Sequence, residues 1–286
     1  MIGGTGTLSY ELAAGWGRLP EGWEFSQVAG VAVDSQDRVY VFHRGAHPVI
    51  VFDRDGAVVA SWGDGLFTDP HGIFIAPDDS LWLVDRGAHV VLKYTLDGQH
   101  LLTIGARGVP AARQSGLPFH LPAGVFQSPS GAIFIADGYG NSRVHVYAAE
   151  GTRVRSWGIE GDGPGQFHLP HAVWQGRDGR VYVADRENNR IQIFTATGEY
   201  LDQWTGFQRP AHLFMDGEGR IYVAELSHRV SVLAPDGALL ARWGGEPSHA
   251  PGAFVAPHGI WADAHGDLYV AEVLEGKRLQ KFVRRR

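Results

Sequence analysis

Three Pro-His pairs recur far apart in the chain, in DPHGIF, LPHAVW and APHGIW, and set His71, His171 and His258 at the same point of three similar segments. Three imidazoles meeting at one point suit a tetrahedral metal ion that keeps its fourth position for water or substrate, the pattern of catalytic zinc. Other divalent transition metals (iron, cobalt or nickel) take the same donors, and affinity order alone does not choose among them.

A second set of polar residues closes a later strand of each segment: His43, Asp85, Asp137, Asp185, Glu225 and Glu272. Carboxylates repeated in this way read as structural, accepting turn N–H groups or pairing with Arg143, Arg190 and Arg229. The residues just after them vary more: Arg44 in FHRG, Arg86 in VDRG, Tyr139 in ADGYGNSR and Arg186 in ADRENNR. Guanidinium groups beside a metal would grip a substrate carboxylate through paired hydrogen bonds. A tyrosine among those positive charges is expected to ionise more easily and to act as a general base. The expected partner is therefore a small molecule bearing a carboxylate.

These groups sit on a repeat. The marks Trp16-Gly17, Trp62-Gly63, Ile104-Gly105, Trp157-Gly158, Trp204 and Trp243-Gly244 lie about 40 to 53 residues apart, the period of propeller blades. One unit reads HAVWQG, a turn at Arg177 to Arg180, VYVAD, RIQIF, a turn at Thr197-Gly198, and EYLDQW. That is four short strands separated by Gly or Asp turns. No long stretch keeps a helical period, so helix is expected to be nearly absent. Six units open near Gly30, His71, Ala123, His171, Ala211 and His258. The last supplies only three strands, and Tyr10 to Gly17 (YELAAGWG) is read as its missing fourth, closing the ring. The expected fold is all-β, a six-bladed β-propeller over 1–286 as one domain. One long insertion, Ala106 to His120, is expected to line a rim.

At the first residue of the innermost strand the six units read Ala29, His71, Ala123, His171, Ala211 and His258. Blades about 60° apart would then hold three imidazoles about 120° apart around the channel. A turn preference of Pro-His accounts for one histidine, but not for strict alternation in one column. The small alanines leave room for a ligand. His212, next to the column, is expected to face the other way and not to be a ligand.

Charge and composition narrow the partners. A net charge of −6 provides no basic surface for nucleic acid, and the terminal Arg-Arg-Arg reads as a solvated tail. Cysteine is absent, which removes disulfides and thiolate metal sites and fits a reducing compartment. No leader pattern and no apolar run of about 18 residues is seen, so a cytoplasmic protein without a membrane partner is expected. Nothing in the sequence sets the oligomeric state.

The strings VYVFHRG, DPHG, IADGYGNSRV, LPHAVW with VADRENNRIQIF, and APHG resemble NHL-type propellers. Within these the chain is similar to the peptidyl-α-hydroxyglycine α-amidating lyase family. The resemblance covers most of blades one to six, and its specific parts are Gly-Tyr-x-Asn-Ser-Arg and Ala-Asp-Arg-Glu-Asn. It implies cleavage of an N-acyl α-hydroxyglycine, a carbinolamide, to an amide and glyoxylate. It further implies zinc on His71, His171 and His258, Tyr139 as base, and Arg44 and Arg186 as active-site arginines. Three positions depart from the family: Ala256 replaces a methionine, Gly259 an aspartate of a structural calcium site, and Gly140 a cysteine. Calcium is accordingly not expected, and a small carbinolamide or related hydroxy acid is the expected substrate rather than a peptide hormone. Two other readings stay open. One is a lactonase-like metal-dependent propeller hydrolase, whose usual carboxylate and Asn ligands contrast with three histidines. The other is a non-enzymatic NHL interaction module.

Overall fold

Short runs of β-branched and aromatic residues, bounded by Gly and Asp turns, form strands that are buried toward the inside of each sheet and exposed at its outermost strand. In the computed structural model, which describes residues 8–285, they build six four-stranded sheets, the arrangement of a six-bladed β-propeller. Among the described residues, α-helix is confined to the single turn Gly138–Asn141. Among these residues no helix is long and apolar enough to cross a membrane.

The innermost strands of blades 1 to 6 are Val28–Val33, Pro70–Ile75, Gly124–Gln127, Pro170–Gln175, Pro210–Met215 and Pro257–Ala262. The sixth sheet joins Pro257–Ala262, Leu268–Glu272 and Arg278–Arg285 to Ser9–Leu12 from the other end of the chain. Ser9 lies opposite Arg285 and Leu12 opposite Phe282. The closing strand is therefore shorter than the 10–17 expected from sequence. Gly15 and Gly17 take positive φ, turning the chain out of the sheet after Leu12. Trp16 is thereby released to pack on Phe52 and Tyr269.

The strands fall into two compact units: Gly65–Pro210, and the described residues up to Asp64 together with those from Ala211 onward. In the first, the Trp157 that ends blade 3 packs on Phe194 of blade 4. A Cβ at the turn residue Gly198 would meet the same indole at 2.7 Å. In the second, Trp243 packs on Phe254 and Phe282 of blade 6. The recurring Trp mark is thus a packing device that covers the next sheet. The strands beneath are apolar and sealed, with Val181, Val183, Ile191, Ile193 and Phe194 at 0% exposure. Each such side chain contributes roughly 1.5–3 kcal/mol.

A part-buried histidine of a blade 5 strand titrates low. His212 Nδ1 accepts the Ile260 N–H at 3.4 Å, and burial pushes this imidazole down to about 4. The unfolded chain binds the proton near the ordinary value of 6.5, so between 6.5 and 4 the unfolded state holds more protons than the folded one. Stability is therefore expected to fall as pH drops through that window. His212→Gln should flatten the dependence, measured as melting temperature against pH.

Candidate functional site

Regular strand alternation would not by itself isolate one residue per blade. A β-bulge does so. The register steps from Pro170 opposite Asp185 to Ala172 opposite Ala184, and from Pro257 opposite Glu272 to Gly259 opposite Ala271. In blade 2 it passes from Pro70 opposite Asp85 to Ile73 opposite Leu83. His71, His171 and His258 each sit in the irregularity, second rather than first in their strands. A bulge re-aims one side chain without ending the sheet.

In the unit Gly65–Pro210 two of these side chains, His71 and His171, converge on one oxygen. The Nε2 atoms of His71 and His171 each lie 3.1 Å from Tyr139 Oη, and the imidazole centroids are 4.8 Å apart. Arg186 Nη1 donates to the same Oη at 3.1 Å. The Arg86 guanidinium lies over the Tyr139 ring, 4.7 Å from its centre, and Arg186 approaches the ring at 5.2 Å. Both arginines are anchored, Arg86 by Asp69 at 2.5 Å and Arg186 by Glu187 at 2.8 Å. Glu187 also holds Arg209, and these guanidinium groups keep its carboxylate below the usual range despite burial. His71 Nδ1 donates to the Ala123 carbonyl at 2.8 Å. A carbonyl can only accept, so the ring proton sits on Nδ1 and the Nε2 lone pair faces Tyr139. A metal-binding imidazole is oriented in the same way.

Tyr139 rides the turn Gly138–Asn141, directly after the blade 3 strand Ile133–Asp137. Two glycines let the turn fit. A Cβ at Gly138 would lie 2.0 Å from the Pro170 carbonyl oxygen, and one at Gly140 would lie 2.2 Å from the His120 ring. The imidazole of His120 fills the space that a side chain at Gly140 would need.

The other unit carries His258 and Arg44. His258 Nδ1 donates to the Ala29 carbonyl at 2.6 Å, repeating the pattern of His71 with Ala123. The alanines of the column therefore do more than leave room, because their carbonyls fix imidazole tautomers. A Cβ at Gly259 would lie 2.7 Å from Gly30 Cα, so the close approach of two inner strands leaves no place for an aspartate side chain there. Arg44 Nη1 donates to Gln27 Oε1 at 2.6 Å. His71 and His171 in one unit and His258 in the other are each buried. Each offers an imidazole nitrogen, a donor type that zinc accepts, with the tautomer fixed in His71 and His258.

The second polar column is structural, as its repetition suggests. Asp185 accepts from the His168 N–H, Asn188, Arg190 and Gln192, and burial raises its pKa. Glu225 takes Arg229 and Ser231. Glu272 takes the Val255 and Ala256 N–H groups and Arg278. Asp137 is the exception to the expected arginine pairing. Arg143 is its neighbour in register only, and its bonds come from the His120 N–H, Asn141 and His145.

Reading the sequence left the Ala29 and Ala123 carbonyls unnoticed and gave Arg86 no fixed role. One signal was available: Gly72, Gly124 and Gly259 follow column residues, and a Cβ at Gly72 or Gly124 would meet a neighbouring carbonyl at 2.7 Å.

The NHL repeat profile matches residues 167–194. Human NHL repeat-containing protein 3 is 34% identical over 304 aligned residues, covering 98% of this chain and 85% of its own. Peptidylglycine alpha-amidating monooxygenase of Rattus norvegicus is 35% identical over 209 residues, which cover 61% of this chain and 21% of its own. Peptidyl-alpha-hydroxyglycine alpha-amidating lyase 2 of Drosophila melanogaster is 30% identical over 171 residues, 48% of this chain and 41% of its own. The match thus spans less than half the length of each of the last two proteins. Among solved structures, streptogramin B lyase superposes with a TM-score of 0.65 at 15% identity, over 97% of this chain and 98% of its own, a likeness of fold.

Proposed function

The chain belongs to the family of NHL repeat-containing protein 3, and from that premise we propose that it is a metal-dependent carbon–nitrogen lyase acting on an α-hydroxyglycine-like carbinolamide. The observation that carries this reading is the meeting of two histidine Nε2 atoms and one guanidinium at Tyr139 Oη. The partial likeness to an amidating lyase supports it.

His71, His171 and His258 would hold the metal, with zinc the ion proposed. The metal supplies Lewis acidity toward the substrate hydroxyl. Tyr139 Oη takes the hydroxyl proton, within reach of the site that the histidines define. As the carbonyl forms, the C–N bond breaks and its electron pair leaves with nitrogen. The proton taken by Tyr139 returns to that nitrogen, so the products are an amide and glyoxylate. Arg186 stabilises the phenolate from 3.1 Å, and the Arg86 charge above the ring adds to it. Arg44 and Arg186 are the proposed carboxylate grips. The burial of the histidines favours a small substrate over a folded peptide.

The test is release of glyoxylate from N-acyl α-hydroxyglycines by the purified, zinc-loaded protein. Turnover sensitive to a chelator is expected. Hydrolysis of lactones without glyoxylate release would favour the lactonase-like alternative. Binding of a macromolecular partner without any turnover, unaffected by a chelator, would favour the interaction module.

A further inference from the structure

The insertion Ala106 to His120 is stitched to the turn that carries Tyr139. The Gln114 N–H donates to the Gly140 carbonyl at 2.8 Å, and Gln114 Nε2 to Ser142 Oγ at 3.1 Å. The Gly116 N–H donates to Asn141 Oδ1 at 3.3 Å, and Asn141 Nδ2 to the Leu117 carbonyl at 2.6 Å. The second Nδ2 proton of Asn141 goes to Asp137 Oδ2 at 2.7 Å. Asp137 is fully buried and also receives His145 Nε2 and the His120 N–H. The Asn141 amide is 1% exposed, and it ties together the end of a blade 3 strand, the tyrosine turn and the insertion.

A single helical turn does not hold itself, because nucleation costs more than one hydrogen bond returns. The Asp137 side chain makes no capping bond to this turn either. The location of Tyr139 Oη is therefore imposed from outside the turn. We infer that Asn141 is a positioning residue for Tyr139, and that the insertion Ala106 to His120 is the clamp through which it acts. The inference rests on the reading of Tyr139 as the proton acceptor. Proton transfer needs a heavy-atom reach of about 2.6–3.2 Å, and a misplacement of ~1 Å costs about 10²-fold in rate. The anchors of Arg44 and Arg186, Gln27 and Glu187, are not residues of the clamp, so substrate grip is spared.

The experiment compares wild type, Asn141→Ala and Gln114→Ala in two ways. The ring signal of Tyr139 is followed by NMR in protein carrying ring-labelled tyrosine, and is assigned by its loss in the Tyr139→Phe counterpart of each protein. Steady-state glyoxylate release is then measured with N-acetyl-α-hydroxyglycine. In Asn141→Ala the position of the Tyr139 ring signal is expected to move, and kcat to fall about 10²-fold with KM changed less than about threefold. Gln114→Ala, which breaks one side-chain bond, should show the same pattern at about tenfold or less. An unmoved Tyr139 signal in folded Asn141→Ala would overturn the clamp even if the enzyme turns over normally. A moved signal in proteins that release no glyoxylate would keep the clamp and sink the lyase reading. If Asn141→Ala does not fold, an unmoved signal in Gln114→Ala overturns the inference, and a moved one supports it.

Discussion

Tyr139→Phe is expected to lower glyoxylate release by about 10³-fold, the scale of a lost general base, while the fold and the metal are retained. Only one atom is removed. The Tyr139 ring would keep its contact with the Arg86 guanidinium, and the turn around it would keep the Gln114 and Asn141 bonds. What disappears is the oxygen that lies 3.1 Å from His71 Nε2, His171 Nε2 and Arg186 Nη1. The loss should appear mainly in kcat, because Arg44 and the Glu187 anchor of Arg186 are untouched. Metal content should stay at the wild-type level. Activity within about tenfold of wild type would show that another group takes the proton. Metal lost together with the hydroxyl would make Tyr139 a ligand rather than a base.

His171→Ala is expected to empty the metal site. Elemental analysis of wild type purified without chelators should give about one divalent ion per chain, and the variant should give close to none, since a three-histidine set rarely survives as two. The control is His212→Gln, which changes a part-buried histidine outside the column and should keep the metal. A second reading is thermal. A metal that binds only the folded chain stabilises it, by about 2.7 kcal/mol at a free concentration a hundred times Kd. Added zinc should therefore raise the melting temperature of wild type and not of His171→Ala. A wild type without stoichiometric metal, and with no zinc-dependent shift, would make the three histidines structural. The interaction-module reading would then lead.

How much of this the sequence holds depends on whether a feature is local or made by neighbouring strands. The period of the Trp marks, the Gly and Asp turns and the short β-branched runs are local properties, and they suffice for six four-stranded sheets. The borrowed strand of blade 6 was legible because a blade with three strands leaves an edge that something must cover. Its end at Leu12 was not legible, since the Trp16 that seemed to belong to the strand is held by packing on Phe52 and Tyr269. The His and Ala column was legible as a pattern, and Tyr139 and Arg186 as unusual residues beside repeated carboxylates.

Only the tertiary structure shows why those residues can act together. The bulges that set His171 and His258 apart arise from strand pairing, and the Ala123 and Ala29 carbonyls become partners of histidine only when inner strands lie side by side. The insertion shows the same limit. Its Gly, Pro and Ser residues announce a loop, but the bonds of Gln114, Gly116 and Leu117 to the tyrosine turn run between segments some 25 residues apart. Residue types and period thus determined the fold and the candidate residues. The placement of Tyr139 Oη among two imidazoles and a guanidinium was decided by hydrogen bonds between segments, whose partners no local pattern specifies.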